Sequence, residues 1–574
     1  MLLNRKKAMG LQDMPKLRNP GNRLRFEPFG AFYLVFWLSM FLGGLYFPWQ
    51  WGLAALLYMG IFVWQMMHTG KLQLPGGRVE LVCGGVILCG GVVNLFTAAD
   101  KGGGREGLLR LMAFLLFLLL LMQWTLEERK KLLDSLSLVG AISVLICVMG
   151  YWIPSVQPLL FENGRMAGPF QYANTYGLFL LLGLITSLRQ TGWLQRIVSG
   201  ILIFGIAASG SRWTMILLAI WVIWMGIRRK LDWTAFVLFL FCGLGMLVLI
   251  VLTGGWTFAR FVDLQAFSTI WGRLLYLQDA FSILADHPFG VGYLGWFYLQ
   301  RGVQTGVYNV RFVHNEWVQM ALDYGLPAAM ATSGLVFRRL QKGCLAPQLA
   351  VMVCLHSMVD PDLQFYGILL LLALALSPVG KCQYTISVSY GKRFAGSVAA
   401  VITVLSVSRG AADLALQTGQ LEIACQLALY NTEAAVERML ERNTLTQASE
   451  DAYRILDQNH YLSIAWQIVA ENALERGEYT RMAAAQRQAV RMQKYDQTVY
   501  DDGFNRLTQA MEAGWPVEYA TVEMVWLLDY MDGVLEETSS LGWKISDQPE
   551  LSIPVETRMQ IRMLQQASEY SEEG

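Results

Sequence analysis

Long apolar runs with almost no charge recur through about the first 400 of the 574 residues, and a run of that kind has few ways to fold. A helix of about 20 apolar residues matches the hydrocarbon thickness of a bilayer. In lipid the backbone must satisfy its own hydrogen bonds, which leaves helices or closed barrels. The runs lie near 29–47, 49–67, 79–98, 107–124, 132–153, 174–188, 197–209, 213–227, 233–253, 315–337, 349–359, 363–379 and 394–408. They predict an all-α fold: a polytopic transmembrane helical bundle of about 12–13 spans. Only 16% of the residues are charged, against about a quarter in soluble domains. The near-zero net charge gives no sign of nucleic-acid binding.

Lysine and arginine set the orientation. The alternate segments 1–28, 68–78, 125–131, 189–196, 228–232, 338–348 and 380–393 hold 23 of them, against 8 in the opposite set, which includes 99–106, 154–173, 254–314 and 360–362. By the positive-inside tendency the basic amino terminus, 1–28, is cytoplasmic. An odd number of spans then puts the carboxy-terminal domain outside. No cleavable signal peptide is expected, since the first apolar run is too long for one. The eight cysteines are scattered, mostly inside apolar runs, and read as packing residues.

The predicted organisation is a membrane domain over 29–408, with a large external loop at 254–314, followed by a soluble domain over 409–574. In the loop, Phe267, Ile270, Leu274, Leu277, Phe281 and Leu284 are spaced 3, 4, 3, 4, 3. That stripe predicts a helix that lies on the membrane or caps the bundle, with Arg273 at its edge. From 409 onward the composition turns to Ala, Gln, Glu and Arg. "ALQTGQL" and "ALERGEY" share a pattern suggestive of tetratricopeptide-like helix pairs, without a clean period; a plain helical bundle is the alternative.

The informative polar residues cluster on the predicted outer face. They are Arg165, Gln171 and Asn174 in "GRMAGPFQYANTYG", Arg212 in "ASGSRWTM", and Arg273 in "IWGRLLYLQDA". Arg311, His314, Asn315 and Glu316 follow in "VRFVHNEW", and His356, Asp360 and Asp362 in "HSMVDPDLQF". A compact bundle would bring them to one cavity. Each has a plainer reading. Arginines at span ends reach for headgroups, Asp360-Pro361-Asp362 can be a turn and a cap, and His356 can be a hydrogen-bonded core residue. His314 stands out, because ionisable groups at a membrane boundary are costly unless used. Arginines suit phosphates, and a neutral histidine takes a proton near pH 7. Together they suit a hydroxyl attacking a carbon that bears a phosphate leaving group. Such a site needs no metal, and two carboxylates alone are weak support for one.

"VHNEWVQMALDYGLPA" resembles the histidine element of the O-antigen ligase and polymerase-like superfamily. "GRMAGPFQYANTYGLFL", "ASGSRWTMILLAI", "GRLLYLQDAFSILADHPFGVGYLGW" and "HSMVDPDLQF" are similar to further elements of it, in order, over about 100–390. The resemblance implies transfer of a glycan from a polyprenyl-diphosphate carrier to an acceptor hydroxyl on a glycan, lipid or protein. This happens outside the cytoplasmic membrane, without metal or other cofactor. It implies that His314 is the base or orients the acceptor, that Arg212 and Arg273 contact the diphosphate, and that Asn174, Asn315 and Glu316 shape the site. Arg165, Arg311 and Asp360 are further substrate-binding candidates. Asp323 stands where many members carry glutamate, and Pro327 where glycine is common; Pro327 is expected to release a carbonyl near Asp323 and bend the helix. The helical tail would bind a partner protein or the glycan. The competing readings are a lipid-linked glycan transporter, which would carry charges deep in its spans, and an envelope-assembly scaffold. Against the transporter reading, the charges gather on the outer side and the spans are nearly charge-free, with Arg110 an exception.

Overall fold

A computed structural model describes residues 27–74, 77–228, 266–380 and 384–572. The expected span 233–253, most of the basic amino terminus and the first part of the long loop lie outside the described residues. Every other expected span contains a helix. Four helices are long and apolar enough to cross a membrane, namely Pro48–Thr69, Arg78–Thr97, Leu126–Gly150 and Ala399–Gln417. Shorter apolar helices include Pro28–Phe41, Ala173–Ser187, Trp193–Ser209, Arg212–Ile227, Pro347–His356 and Tyr366–Leu376. The fold is all-α and polytopic. Its strands among the described residues are two short antiparallel pairs, Lys71–Leu74 with Tyr384–Ser387 and Phe161–Glu162 with Arg165–Met166.

Local chemistry sets the helix starts. Pro48 opens Pro48–Thr69, and Gly70 closes it at φ 62°, where a side chain would be strained. Thr125 and Glu128 form a capping box ahead of Leu126–Asp134. Asp100 caps Lys101–Leu121, accepting from the Gly103 N–H at 2.5 Å. Ala173–Ser187 is apolar around its whole circumference and every residue after Asn174 is buried, so it is the central helix. Arg78–Thr97 buries only Gly91 and Asn94 and is peripheral.

The strand Lys71–Leu74 after Pro48–Thr69 pairs with Tyr384–Ser387, the strand before Val388–Gln417. Tyr172 bonds Asp360, and the turns near 100 and 311 bond Thr432 and Glu433 of the carboxy-terminal helices.

Two expectations change in detail. The single span expected at 315–337 is two helices, Glu316–Tyr324 and Leu326–Lys342. The break is at Gly325 (φ 89°, ψ 157°), because the "HPFGVG" loop crosses there: Leu326 N–H donates to Pro288 O at 2.9 Å and Val291 N–H to Leu322 O at 2.7 Å. Pro327 sits in the first turn of the second helix, where its missing N–H costs nothing, so it does not bend the first. The composition change near 409 falls inside one continuous helix, Val388–Gln417.

The surface helix Ala266–Asp286 spans the predicted stripe. Of the stripe, Ile270, Leu274 and Phe281 are exposed, while Leu284 is buried and Leu277 partly so, in the same cluster as Leu275, Ala280 and Ile283. The helices from Leu421 to Glu572 pack mainly on their neighbours in sequence around Ile455, Val469, Met482, Tyr500 and Leu527. They dock firmly on the loop. Ser539 N–H donates to Thr305 O at 2.9 Å, and the backbones of Gly306 and Gly542 meet so closely that a Cβ on Gly306 would lie 2.6 Å from Gly542 Cα. Asp100 Oδ1 accepts from Thr432 at 2.5 Å and from Asn459 at 3.2 Å.

Candidate functional site

"HNEW" builds the centre of the site. Asn315 is extended and caps Glu316–Tyr324, its Oδ1 accepting from Trp317 and Val318 N–H, both at 3.1 Å. Its Nδ2 donates to Met358 O at 3.0 Å, which ties the helix start to the turn before Asp360. With the cap fixed, His314 takes the left-handed conformation at φ 59°, uncommon outside glycine and frequent at functional positions. Its Nδ1 lies 3.0 Å from Phe312 O. An N–H there donates to the carbonyl, and the lone pair is left on Nε2.

The ring borders a cavity of about 300 Å³. Arg311 and Gln171 supply polar side chains, and Tyr46, Phe47, Phe170, Tyr172, Phe312 and Phe365 supply an aromatic wall. Tyr172 and Phe365 stack with centroids 5.8 Å apart. Tyr276, one turn beyond Arg273, lies 5.9 Å from the His314 ring. Burial, and then the positive charge of Arg273, push the His314 pKa below its ordinary value, so the ring is neutral at neutral pH.

A second group adjoins this cavity through Tyr172. Asp360 is 1% exposed, and its Oδ1 accepts from Tyr172 Oη at 2.9 Å, Asn174 Nδ2 at 3.0 Å and Arg273 Nη2 at 3.0 Å. Arg165 extends the chain, with Nη2 donating to Asn174 Oδ1 at 2.5 Å and Nε to Ser209 O at 2.8 Å. The Arg273 side chain keeps a quarter of its surface exposed. Asp360 thus holds a partly exposed guanidinium in place. Arg273 Nε and Asp360 Oδ2 are buried without a hydrogen-bond partner among the described residues.

Of the remaining candidates, Arg311 lines the His314 cavity and pairs with Glu433 of the carboxy-terminal helices at 3.2 Å. Arg212 is half-buried at the first position of Arg212–Ile227, whose cap Ser211 accepts from Thr214 N–H. Glu316 turns away from the cavity: it is buried, and it accepts from Leu363 N–H at 3.1 Å, Gln364 N–H at 3.2 Å and Gln364 Nε2 at 3.0 Å. It therefore braces the turn that carries Asp360. Asp362 does not converge with Asp360. Its Oδ2 meets His356 Nδ1 at 2.6 Å and its Oδ1 accepts from Thr175 at 2.8 Å, while His356 Nε2 lies 3.0 Å from Thr214 Oγ1. That buried cluster fits the plainer reading of His356. Arg110 is likewise engaged, by Tyr293 and by Gln364 O at 3.2 Å.

Sequence reasoning misses the aromatic wall and Tyr172. Tyr172 lies within a quoted motif but carries no charge to mark it. The wall residues come from four separate places and look like ordinary span-end aromatics.

A family model described as O-Antigen ligase matches residues 175–333. The matched stretch contains Arg212, Arg273, Arg311, His314, Asn315 and Glu316, while Arg165, Asn174 and Asp360 lie outside it. No curated protein and no solved structure matches the chain.

Proposed function

We infer that this chain, with an O-antigen ligase segment at its centre, transfers a glycan from a polyprenyl-diphosphate carrier to an acceptor hydroxyl. The site lies at the extracytoplasmic face of the cytoplasmic membrane, with the amino terminus inside and the carboxy-terminal helical domain outside. The observation that carries this reading is His314. Its ring is fixed through Nδ1, its Nε2 is free of hydrogen bonds among the described residues, and it borders a cavity beside a fixed arginine.

In the proposed step, the acceptor hydroxyl gives its proton to His314 Nε2 as its oxygen bonds to the anomeric carbon. The bond from that carbon to the diphosphate oxygen breaks, and the electron pair leaves with the carrier diphosphate. Arg273, held by Asp360, neutralises the developing charge, with Arg212 and Arg165 as further cationic contacts. The proton later leaves the imidazolium for water. Base catalysis of this kind supplies about 10²–10⁴ in rate. The aromatic wall suits the apolar face of a sugar ring. No step is assigned to Asn315 or Glu316, which hold the backbone.

The test is His314→Ala and Arg273→Ala in cells that make the polymer, with protein amounts checked. Both variants are expected to lose polymer extension or attachment. Normal product from both, at normal protein amounts, would sink the reading. The lipid-linked product that accumulates separates the two modes: single repeat units on the carrier mean a polymerase, and long unattached chains mean a ligase.

A further inference from the structure

A second and larger cavity, about 760 Å³, lies between Lys101–Leu121, the membrane helix Ala399–Gln417 and residues 427–433 at the start of the carboxy-terminal domain. Most of its lining is apolar, from Leu108 and Met112 on one side, Val401 and Leu405 on another, and Leu427 and Leu429 above. Its charges gather at the end near Asp100 and are largely matched within the wall. Glu106 holds Arg409 at 2.7 Å, Asp100 is engaged by Thr432 and Asn459, and Glu433 pairs with Arg311. Arg105 lies over the Tyr430 ring at 3.0 Å and has no carboxylate partner among the described residues.

Two observations identify what such a space takes. First, Val401 and Leu405 line it and are also 58% and 53% exposed, on a helix long and apolar enough to cross the membrane. The mouth therefore opens on a hydrocarbon-facing surface, where an apolar chain enters and water does not. Second, it adjoins the reaction cavity. Arg311 borders the 300 Å³ cavity, Glu433 borders the larger one, and the two residues form an ion pair between them.

We propose that this cavity seats the isoprenoid chain of the lipid-linked donor, with Arg311 at the passage to the reaction cavity and residues 427–433 of the carboxy-terminal domain as one wall. The inference rests on the transferase reading above. It makes the carboxy-terminal domain part of donor binding rather than an appendage.

The experiment uses full-length protein in detergent and a polyprenyl diphosphate that carries a photoreactive group on its chain. Crosslinks are expected within 105–112, 397–409 or 427–433, with unlabelled polyprenyl diphosphate competing at least about tenfold better than phosphatidylglycerol. Leu405→Trp, at a half-exposed position that tolerates bulk, is expected to cut the crosslink yield about fivefold and to raise KM with kcat little changed, as for lost uniform binding. His314→Ala is expected to keep the crosslinks and lose transfer. Equal competition by phosphatidylglycerol, or crosslinks confined to other segments, overturns this proposal and leaves the transferase reading standing. Crosslinks in place with transfer intact in His314→Ala leave this proposal standing and overturn the role given to His314 instead.

Discussion

Arg273 Nη2 lies 3.0 Å from Asp360 Oδ1, an oxygen that also accepts from Tyr172 and Asn174. One buried carboxylate oxygen therefore positions three donors drawn from two distant segments. Asp360→Asn keeps the shape but removes the charge that fixes the guanidinium. It is expected to lower kcat at least about tenfold with a smaller change in KM, since the interaction acts on charge developed in the transition state. Asp360→Ala strips the partner from a largely buried arginine and is expected to cost about 3–5 kcal/mol of stability as well. Thermal unfolding in detergent, run beside the kinetics, separates the two effects. A kcat for Asp360→Asn equal to that of the parent would count against the arrangement.

In the proposed step the transfer rate depends on neutral His314. Its pKa lies below the ordinary histidine value because burial and then Arg273 disfavour the cation. The neutral base is present above that pKa and is lost as pH falls through it. The acid limb of kcat/KM is thus expected below the ordinary histidine value of about 6.5. Arg273→Gln removes one of the two causes and is expected to move that limb to higher pH, besides lowering the rate. A limb that stays put would show that the base is some other group.

Glu316 is expected to behave as a structural residue. Glu316→Ala leaves two backbone N–H groups and one side-chain amide without their acceptor in the interior. Each orphaned buried donor costs about 1–3 kcal/mol, so little folded protein is expected in the membrane fraction. Glu316→Gln keeps an acceptor in place and is expected to fold and retain most activity. Monodispersity by size-exclusion chromatography, followed by the transfer assay, checks both. A well-folded, inactive Glu316→Gln protein would assign the carboxylate a chemical role.

Gly325 occupies a position closed to side chains. At φ 89° a Cβ would lie 2.8 Å from both the carbonyl carbon and the oxygen of Phe289. Gly325→Ala is expected to destabilise by more than about 2 kcal/mol through strain and collision with backbone. Ala328→Gly, three residues on and inside the helix, is expected to cost only about 1 kcal/mol from propensity, plus the small loss of a buried methyl. Comparing the two melting temperatures tests whether the break is essential.

Much of this arrangement is legible in the amino-acid sequence. His314 and Arg273 can be picked out because charge at a membrane boundary is expensive and both follow from topology and spacing. The hub at Asp360 cannot, since its three donors come from Tyr172, Asn174 and Arg273, and nothing local encodes that meeting. Glu316 reads as a site residue because it stands beside His314. Its true direction follows from Asn315 starting the helix and from Glu316 N–H bonding Ser357 O at 2.8 Å, both set by packing. Pro327 signals the helix break, yet the break falls two residues earlier, where the "HPFGVG" loop needs the backbone. The composition change at the tail is visible, but the helix that runs through it is not, because Val388–Gln417 is apolar along one part and polar along the next.

Asp100 both caps Lys101–Leu121 and accepts from Thr432 and Asn459 in the carboxy-terminal helices. A chain stopped after Gln417 is therefore not a smaller copy of the membrane portion. It leaves that carboxylate without two of its three donors, strips the counter-charge from Arg311 three residues before His314, and uncovers the glycine seam at Gly306. Truncation at the tail would damage the segment that carries His314, so lost activity after it would say nothing about whether the tail recruits a partner.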